Sequence, residues 1–159
     1  MNAPQTIPVA TDPLQGMVGY EIRRTMGAVM NSLSTELDPL DLRPSEGMLL
    51  LALGANPGCT QSELSRALRA QPANLVPIIN KLTTAGLVER VPTSGRSLAL
   101  YLTDQGKRLY EQVEAAFARH EARIAGHLSD KARRDVIATL RSICKAACCG
   151  DGPQLGLAE

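Results

Sequence analysis

The stretch TQSELSRALRAQPANLVPIINKLTTAGLVERVPTSGRSLALYLTDQGKRL, residues 60–109, changes its periodicity several times in quick succession. It opens with Thr60 and Glu63 at capping-box spacing, where each side chain satisfies the other's backbone N–H. Leu64, Ala67 and Leu68 follow on one face, which predicts a short helix. A second helical run puts Leu75, Ile78, Ile79 and Leu82 on one side and stops at Gly86, a residue suited to the left-handed turn that closes helices. The β-type runs LVERV and LALYL then flank the polar tip PTSGRS and predict a two-stranded hairpin. Helix, turn, helix and hairpin in this order form a winged helix-turn-helix, in which a short helix braces a second whose outer face enters the major groove of DNA.

Longer helices flank this unit. Leu14, Val18, Ile22, Met26, Val29, Met30, Leu33 and Leu37 recur every three or four residues and predict one long amphipathic helix, ended by Pro39 and Pro44. Pro44 then starts a helix reaching Leu53, with its own proline in the first turn. Beyond the hairpin, Thr103 caps a helix with Leu109, Val113, Phe117, Ile124 and Leu128 apolar, and Ser129 caps another with Val136, Leu140, Ile143 and Ala147 apolar. The expected fold is therefore mainly α with a small two-stranded β-hairpin. A single domain over 14–150 holds a winged helix-turn-helix at about 42–103 between helices at about 14–38 and 104–149, with a flexible arm at 1–13 and a disordered tail at 151–159. The long terminal helices lie around a small central lobe, so their apolar stripes need a partner surface, and a second copy of the chain supplies one by two-fold symmetry.

Pro77 interrupts the second helical run. If that helix starts at Pro72 with Gln71 in the capping place, Pro77 falls in its second turn and removes a hydrogen bond, at about 3 kcal/mol unless the helix kinks. If Asn74 is the N-cap instead, the missing N–H is one that the first turn leaves unpaired anyway. Both registers place the proline early in the helix.

Composition narrows the function classes. Apolar residues make up 44% and charged ones 21%, an ordinary globular balance, while one Phe, three Tyr and no Trp leave the core to aliphatic side chains. The net charge of +1 hides an asymmetry: residues 60–110 carry seven basic against three acidic side chains, +4, and the remainder −3. A basic working face on an acidic scaffold suits a polyanionic partner. No apolar run approaches the roughly 20 residues of a membrane span. The start MNAPQTIPVATDP lacks the basic and apolar segments of a secretory signal, so a cytoplasmic location with reduced thiols is expected. Neither a phosphate-binding glycine loop nor a nucleophile–base arrangement stands out, so no enzyme activity and no cofactor is expected. His120 and His127 have no ligand cluster beside them, and no metal site is expected.

Several of these segments together resemble the MarR family of transcriptional regulators: Leu42 and Pro44 before the second helix, TQSELSRAL, KLTTAGLVER at the exit of the recognition helix, and LTDQGKRL at the start of the fifth. The resemblance spans about residues 14–148. It implies a homodimer whose first and last two helices pack together, with two winged lobes on adjacent turns of duplex operator DNA carrying an inverted repeat. It also implies control by a small phenolic, aromatic-acid or acyl effector, or by thiol oxidation, where scaffold and lobe meet.

On this reading the DNA-binding residues are Ser62 and Arg66 on the bracing helix, with Ser65 as a further phosphate contact, and Gln71, Asn74, Pro77 and Lys81 on the recognition helix. Arg90 at the hairpin base and Arg96 at its tip complete them. An Asn amide pairs with adenine, Lys holds phosphate or guanine, the edge of Pro rests on a thymine methyl, and Arg enters a narrow minor groove. Pro77 stands where many family members carry a basic or hydroxyl residue, and it either meets DNA or merely sets the helix angle. The tip TSGRS carries one arginine where family tips often carry two. Met17, Tyr20, Arg24, Met30 and His120 are the candidate effector pocket, although a methionine stripe and a lone histidine also serve as plain core. Cys144 and Cys148, with Cys149 following, offer a redox alternative, and a protein-interaction use of the winged lobe is a third.

Overall fold

The computed structural model describes residues 12–148 apart from Ser94 and Arg96. Six helices and one hairpin follow in order: α1 (Val18–Leu37), a short 3-10 turn (Asp38–Leu40), α2 (Pro44–Ala55), α3 (Gln61–Leu68), α4 (Pro72–Thr84), β1 (Val88–Pro92), β2 (Leu98–Leu102), α5 (Asp104–Ala125) and α6 (Asp130–Cys148). Residues 1–11 of the arm expected at 1–13, Ser94, Arg96, Cys149 and the tail lie outside the described residues.

α1 begins at Val18, not at Leu14. Residues 13–16 form a turn with Gly16 at φ 87°, a left-handed conformation that ends helical continuity there, and Met17 donates its N–H to Leu14 at 3.0 Å. α2 runs two residues past Leu53. The capping box of α3 is formed: Thr60 N–H meets Glu63 Oε2 at 2.7 Å, and Glu63 N–H meets Thr60 Oγ1 at 3.3 Å. α4 adopts the register that begins at Pro72, although the Gln71 side chain makes no capping hydrogen bond. Pro77 thus lies inside the helix, with no N–H to offer the Ala73 carbonyl.

Leucines fill the core. Leu37, Leu49, Leu50 and Leu53 from α1 and α2 meet Leu64 of α3, Leu75, Ile79 and Leu82 of α4, Leu100 of β2 and Val113 of α5, all essentially without solvent contact. Each such side chain contributes about 1.5–3 kcal/mol by leaving water. The hairpin is antiparallel, Val88 opposite Leu102 and Pro92 opposite Leu98, and an extra bridge from Thr60 to Ala99 fastens the start of α3 to β2.

Thr103 joins three elements. Its hydroxyl accepts the Gly106 N–H at 3.0 Å as the cap of α5 and donates to Gly86 O at 2.6 Å at the end of α4, while its N–H donates to Leu87 O at 3.1 Å. Hairpin and α5 are thereby held in one orientation. On the scaffold side, Glu36 of α1 receives Arg119 Nε at 2.9 Å and Arg123 Nη2 at 2.6 Å from α5. The N-terminal part of α1 up to Ser32, and the whole of α6, bury no residue within the single chain. Met17, Val18 and Met26 on one, and Val136, Ile137 and Leu140 on the other, leave large apolar surfaces exposed.

Candidate nucleic-acid interface

α3 and α4 meet through a turn set by Arg69, which takes a left-handed φ of 50° at the end of α3. Ser65 serves that turn: it is buried, and its hydroxyl donates to Ala70 O at 2.5 Å, so it cannot reach a phosphate. Ser62 and Arg66 are exposed on α3, as a phosphate contact requires.

On α4, burial of Leu75, Ile79 and Leu82 fixes which side faces out. At about 100° per residue, the side opposite that stripe carries Ala73, Pro77, Asn80, Lys81 and Thr84, with Val76 on its flank, all exposed. Asn74, expected on the outer stripe, is half-buried at its margin. Val76 and Asn80 were not among the residues singled out from sequence; projecting the helix from its three buried positions is the signal that finds them.

Two expected DNA contacts are engaged within the chain. Lys81 Nζ lies 2.7 Å from Glu46 Oε1, and Arg90 Nη2 donates to Asn80 Oδ1 at 2.6 Å. The first pair ties α4 to the start of α2. The second ties the hairpin base to the outer face of α4. Arg96 lies outside the described residues.

The five pocket candidates do not converge in the single chain. Tyr20 donates its hydroxyl to Asp12 at 2.7 Å and lies under the guanidinium groups of Arg23 and Arg24, 5.3 and 5.8 Å from its ring centre. The carboxyl of Asp12 is lowered from its usual pKa, first by that Tyr20 hydrogen bond. His120 is buried on α5 with Nδ1 3.3 Å from Ser32 Oγ. Ser32 is twelve residues beyond Tyr20, about 18 Å along the helix. Met30 is half-buried near the His120 end and Met17 is exposed at the other. Cys144 and Cys148 line an open groove of about 790 Å³ together with Arg69, Leu140, Arg141 and Lys145. Among the described residues no group of three or more His, Cys, Asp or Glu side chains is placed to hold a metal, and no helix is long and apolar enough to cross a membrane.

The model of the MarR family matches residues 40–97, from the turn before α2 to the edge of β2. The HTH-type transcriptional repressor Rv2887 of Mycobacterium tuberculosis is 32% identical over 120 residues, 74% of this chain and 86% of that protein. The chain belongs to the MarR family. It is a winged-helix transcriptional regulator by that membership, and the order of α2, α3, α4 and hairpin is the family's DNA-binding lobe. Solved structures agree. The transcriptional repressor CouR bound to a 23-mer DNA duplex superposes on this MarR-family chain with a TM-score of 0.78 at 28% identity, covering 87% of this chain and 99% of that one. CouR bound to p-coumaroyl-CoA gives 0.75, also at 28% identity, over 86% and 98%. Rv2887 in complex with salicylic acid gives 0.61 at 30% identity, over 81% and 97%.

Proposed function

We propose that the chain is a homodimeric repressor that occupies an inverted repeat in duplex DNA and leaves it on binding a small phenolic, aromatic-acid or acyl ligand. The outward face of α4 carries this reading: it stands exposed on a lobe braced by α3, opposite a stripe of fully buried aliphatic residues. Ser62, Arg66 and Gln71 lie on exposed positions around it, where they would contact the backbone. Arg96 enters the minor groove beside the hairpin tip on this proposal, because a guanidinium is drawn to the negative potential of a narrow groove.

Dimerisation follows from the uncovered apolar faces of α1 and α6, which a second copy would bury. A dimer lying across a promoter blocks polymerase with no further surface, hence repression. The effector class is supported by relatives whose structures hold p-coumaroyl-CoA and salicylic acid. Within the candidate pocket, the His120–Ser32 pair lies where α1 meets α5, and there a ligand would bias scaffold against lobe.

Thiol control is the second reading. It is favoured by the placement of Cys144 and Cys148 one turn apart on α6, where both line the same open groove.

Selection of bound duplexes from a random DNA pool at two salt concentrations tests the proposal. The expected product is an inverted repeat with half-sites about one helical turn apart and affinity that falls steeply with salt. Salicylate or an aromatic acyl thioester then releases the protein from that operator, whereas release by peroxide, reversed by thiol, selects the second reading. If no sequence is enriched at either salt, the winged lobe serves protein interaction instead.

A further inference from the structure

We infer that α4 recognises its operator chiefly by contact with thymine methyl groups, through an apolar edge made of Ala73, Val76 and Pro77; the inference rests on the DNA-binding reading above. Recognition helices ordinarily specify bases with side-chain donors and acceptors, Arg and Lys to guanine, Asn and Gln to adenine. Two of the outward polar side chains of α4 are engaged within the chain. Lys81 is paired with Glu46 at 2.7 Å, the Asn80 carbonyl oxygen already faces the Arg90 guanidinium at 2.6 Å, and Asn74 is half-buried.

Beside these polar groups the N-terminal half of the helix presents hydrocarbon. Val76 keeps 37% of its surface exposed, Pro77 and Ala73 are exposed beside it, and the three positions fall within about 100° of one another around the helix axis. Pro77 adds a ring to this edge, and the N–H it lacks is one that would have been spent on the Ala73 carbonyl within the helix, so the exchange costs the groove no donor. The apolar group that the major groove offers to such an edge is the C5 methyl of thymine. Covering one methyl removes enough apolar surface from water for about a fourfold gain in affinity. The half-site is accordingly expected to carry thymines under the first two turns of α4, distinguished from cytosine by their methyl groups.

The test uses the full-length protein and the operator recovered by selection, with each thymine replaced singly by deoxyuridine, which deletes the methyl and keeps the pairing edge. The expected result is a loss of about fourfold at one or two positions of each half-site, abolished in Val76→Ser or Pro77→Ser, both at exposed positions. Uracil tolerated at every position overturns the inference while leaving DNA binding intact. A penalty that persists undiminished in both variants overturns the assignment to this edge. If the pool yields no enriched sequence, the DNA-binding reading falls and the inference falls with it.

Discussion

The ammonium of Lys81 lies 2.7 Å from a carboxylate oxygen of Glu46, a side chain only 5% exposed in the first turn of α2. The other oxygen of Glu46 accepts the Arg43 N–H at 3.0 Å. One carboxylate therefore both closes the start of α2 and holds the C-terminal half of α4, so that recognition helix and core move as one body.

This pair predicts what Lys81 does. Lys81→Met leaves the sheltered carboxylate with a single hydrogen bond and lowers stability by about 1 kcal/mol, seen as a lower urea midpoint with an unchanged slope. Because the ammonium is held by Glu46, the salt dependence of operator binding stays nearly as it was. A salt slope reduced by about one unit with stability intact would instead assign this lysine to a phosphate.

Acid stability follows from the Glu36 cluster. The hydrogen bond from Arg119, with further help from Arg123, lowers the carboxyl of Glu36 below its usual pKa, and the capping hydrogen bonds from Thr60 do the same for Glu63. A carboxyl with a depressed folded-state pKa contributes stability that is fully present above its unfolded value and is lost as pH falls through the folded one. Stability is therefore expected to decline as pH falls below the ordinary glutamate pKa of about 4.5. Glu36→Gln flattens part of that decline and leaves the part owed to Glu63, which urea midpoints measured across the acid range will resolve.

The parts of the fold legible from sequence are those set by neighbours in the chain. Thr60 and Glu63 are three residues apart, Thr103 and Ser129 cap the helices that follow them, and the hairpin tip is flanked by its own strands. The register of α4 was not legible, because Gln71 and Asn74 are both acceptable caps and the choice depends on docking Leu75, Ile79 and Leu82 into a core built from distant segments. The engagement of Lys81 with Glu46, 35 residues away, and of Arg119 with Glu36, 83 away, is invisible to any local pattern. The late start of α1 was legible in principle, since Pro13 and Gly16 bracket Leu14 with residues that discourage a helix there.

Gly106 supplies a sharper test of how the lobe is joined to α5. A Cβ at this position would collide with the carbonyl oxygen of Leu87, a backbone atom that already accepts the Thr103 N–H at 3.1 Å and has no room to retreat. Gly106→Ala is expected to cost roughly 2–4 kcal/mol, read as a fall in the thermal midpoint. Gly95 offers a control, since a Cβ there meets nothing, and Gly95→Ala is expected to leave stability within about 0.5 kcal/mol.

The apolar face of α6 supplies the last prediction. Val136, Ile137 and Leu140 are 45, 41 and 49% exposed, although they recur at helical spacing like core residues. Single exposed apolar side chains are unremarkable, but a run of them along one helix, matched by Val18 and Met26 on α1 and Met17 just before it, is a surface that water covers at a cost. If a second copy covers it, Leu140→Glu places a charge inside the contact with no partner and drives the protein to a monomer in sedimentation at micromolar concentration. The folded lobe keeps its core, because no residue of α6 between Asp130 and Cys148 belongs to it, so far-UV dichroism changes little. Operator affinity falls by at least about tenfold, since two half-sites can no longer be held by one particle, while affinity for an isolated half-site is retained. A Leu140→Glu protein that sediments as a dimer and binds its operator as before would place the partner surface elsewhere, on α1 alone or on the outer side of α5.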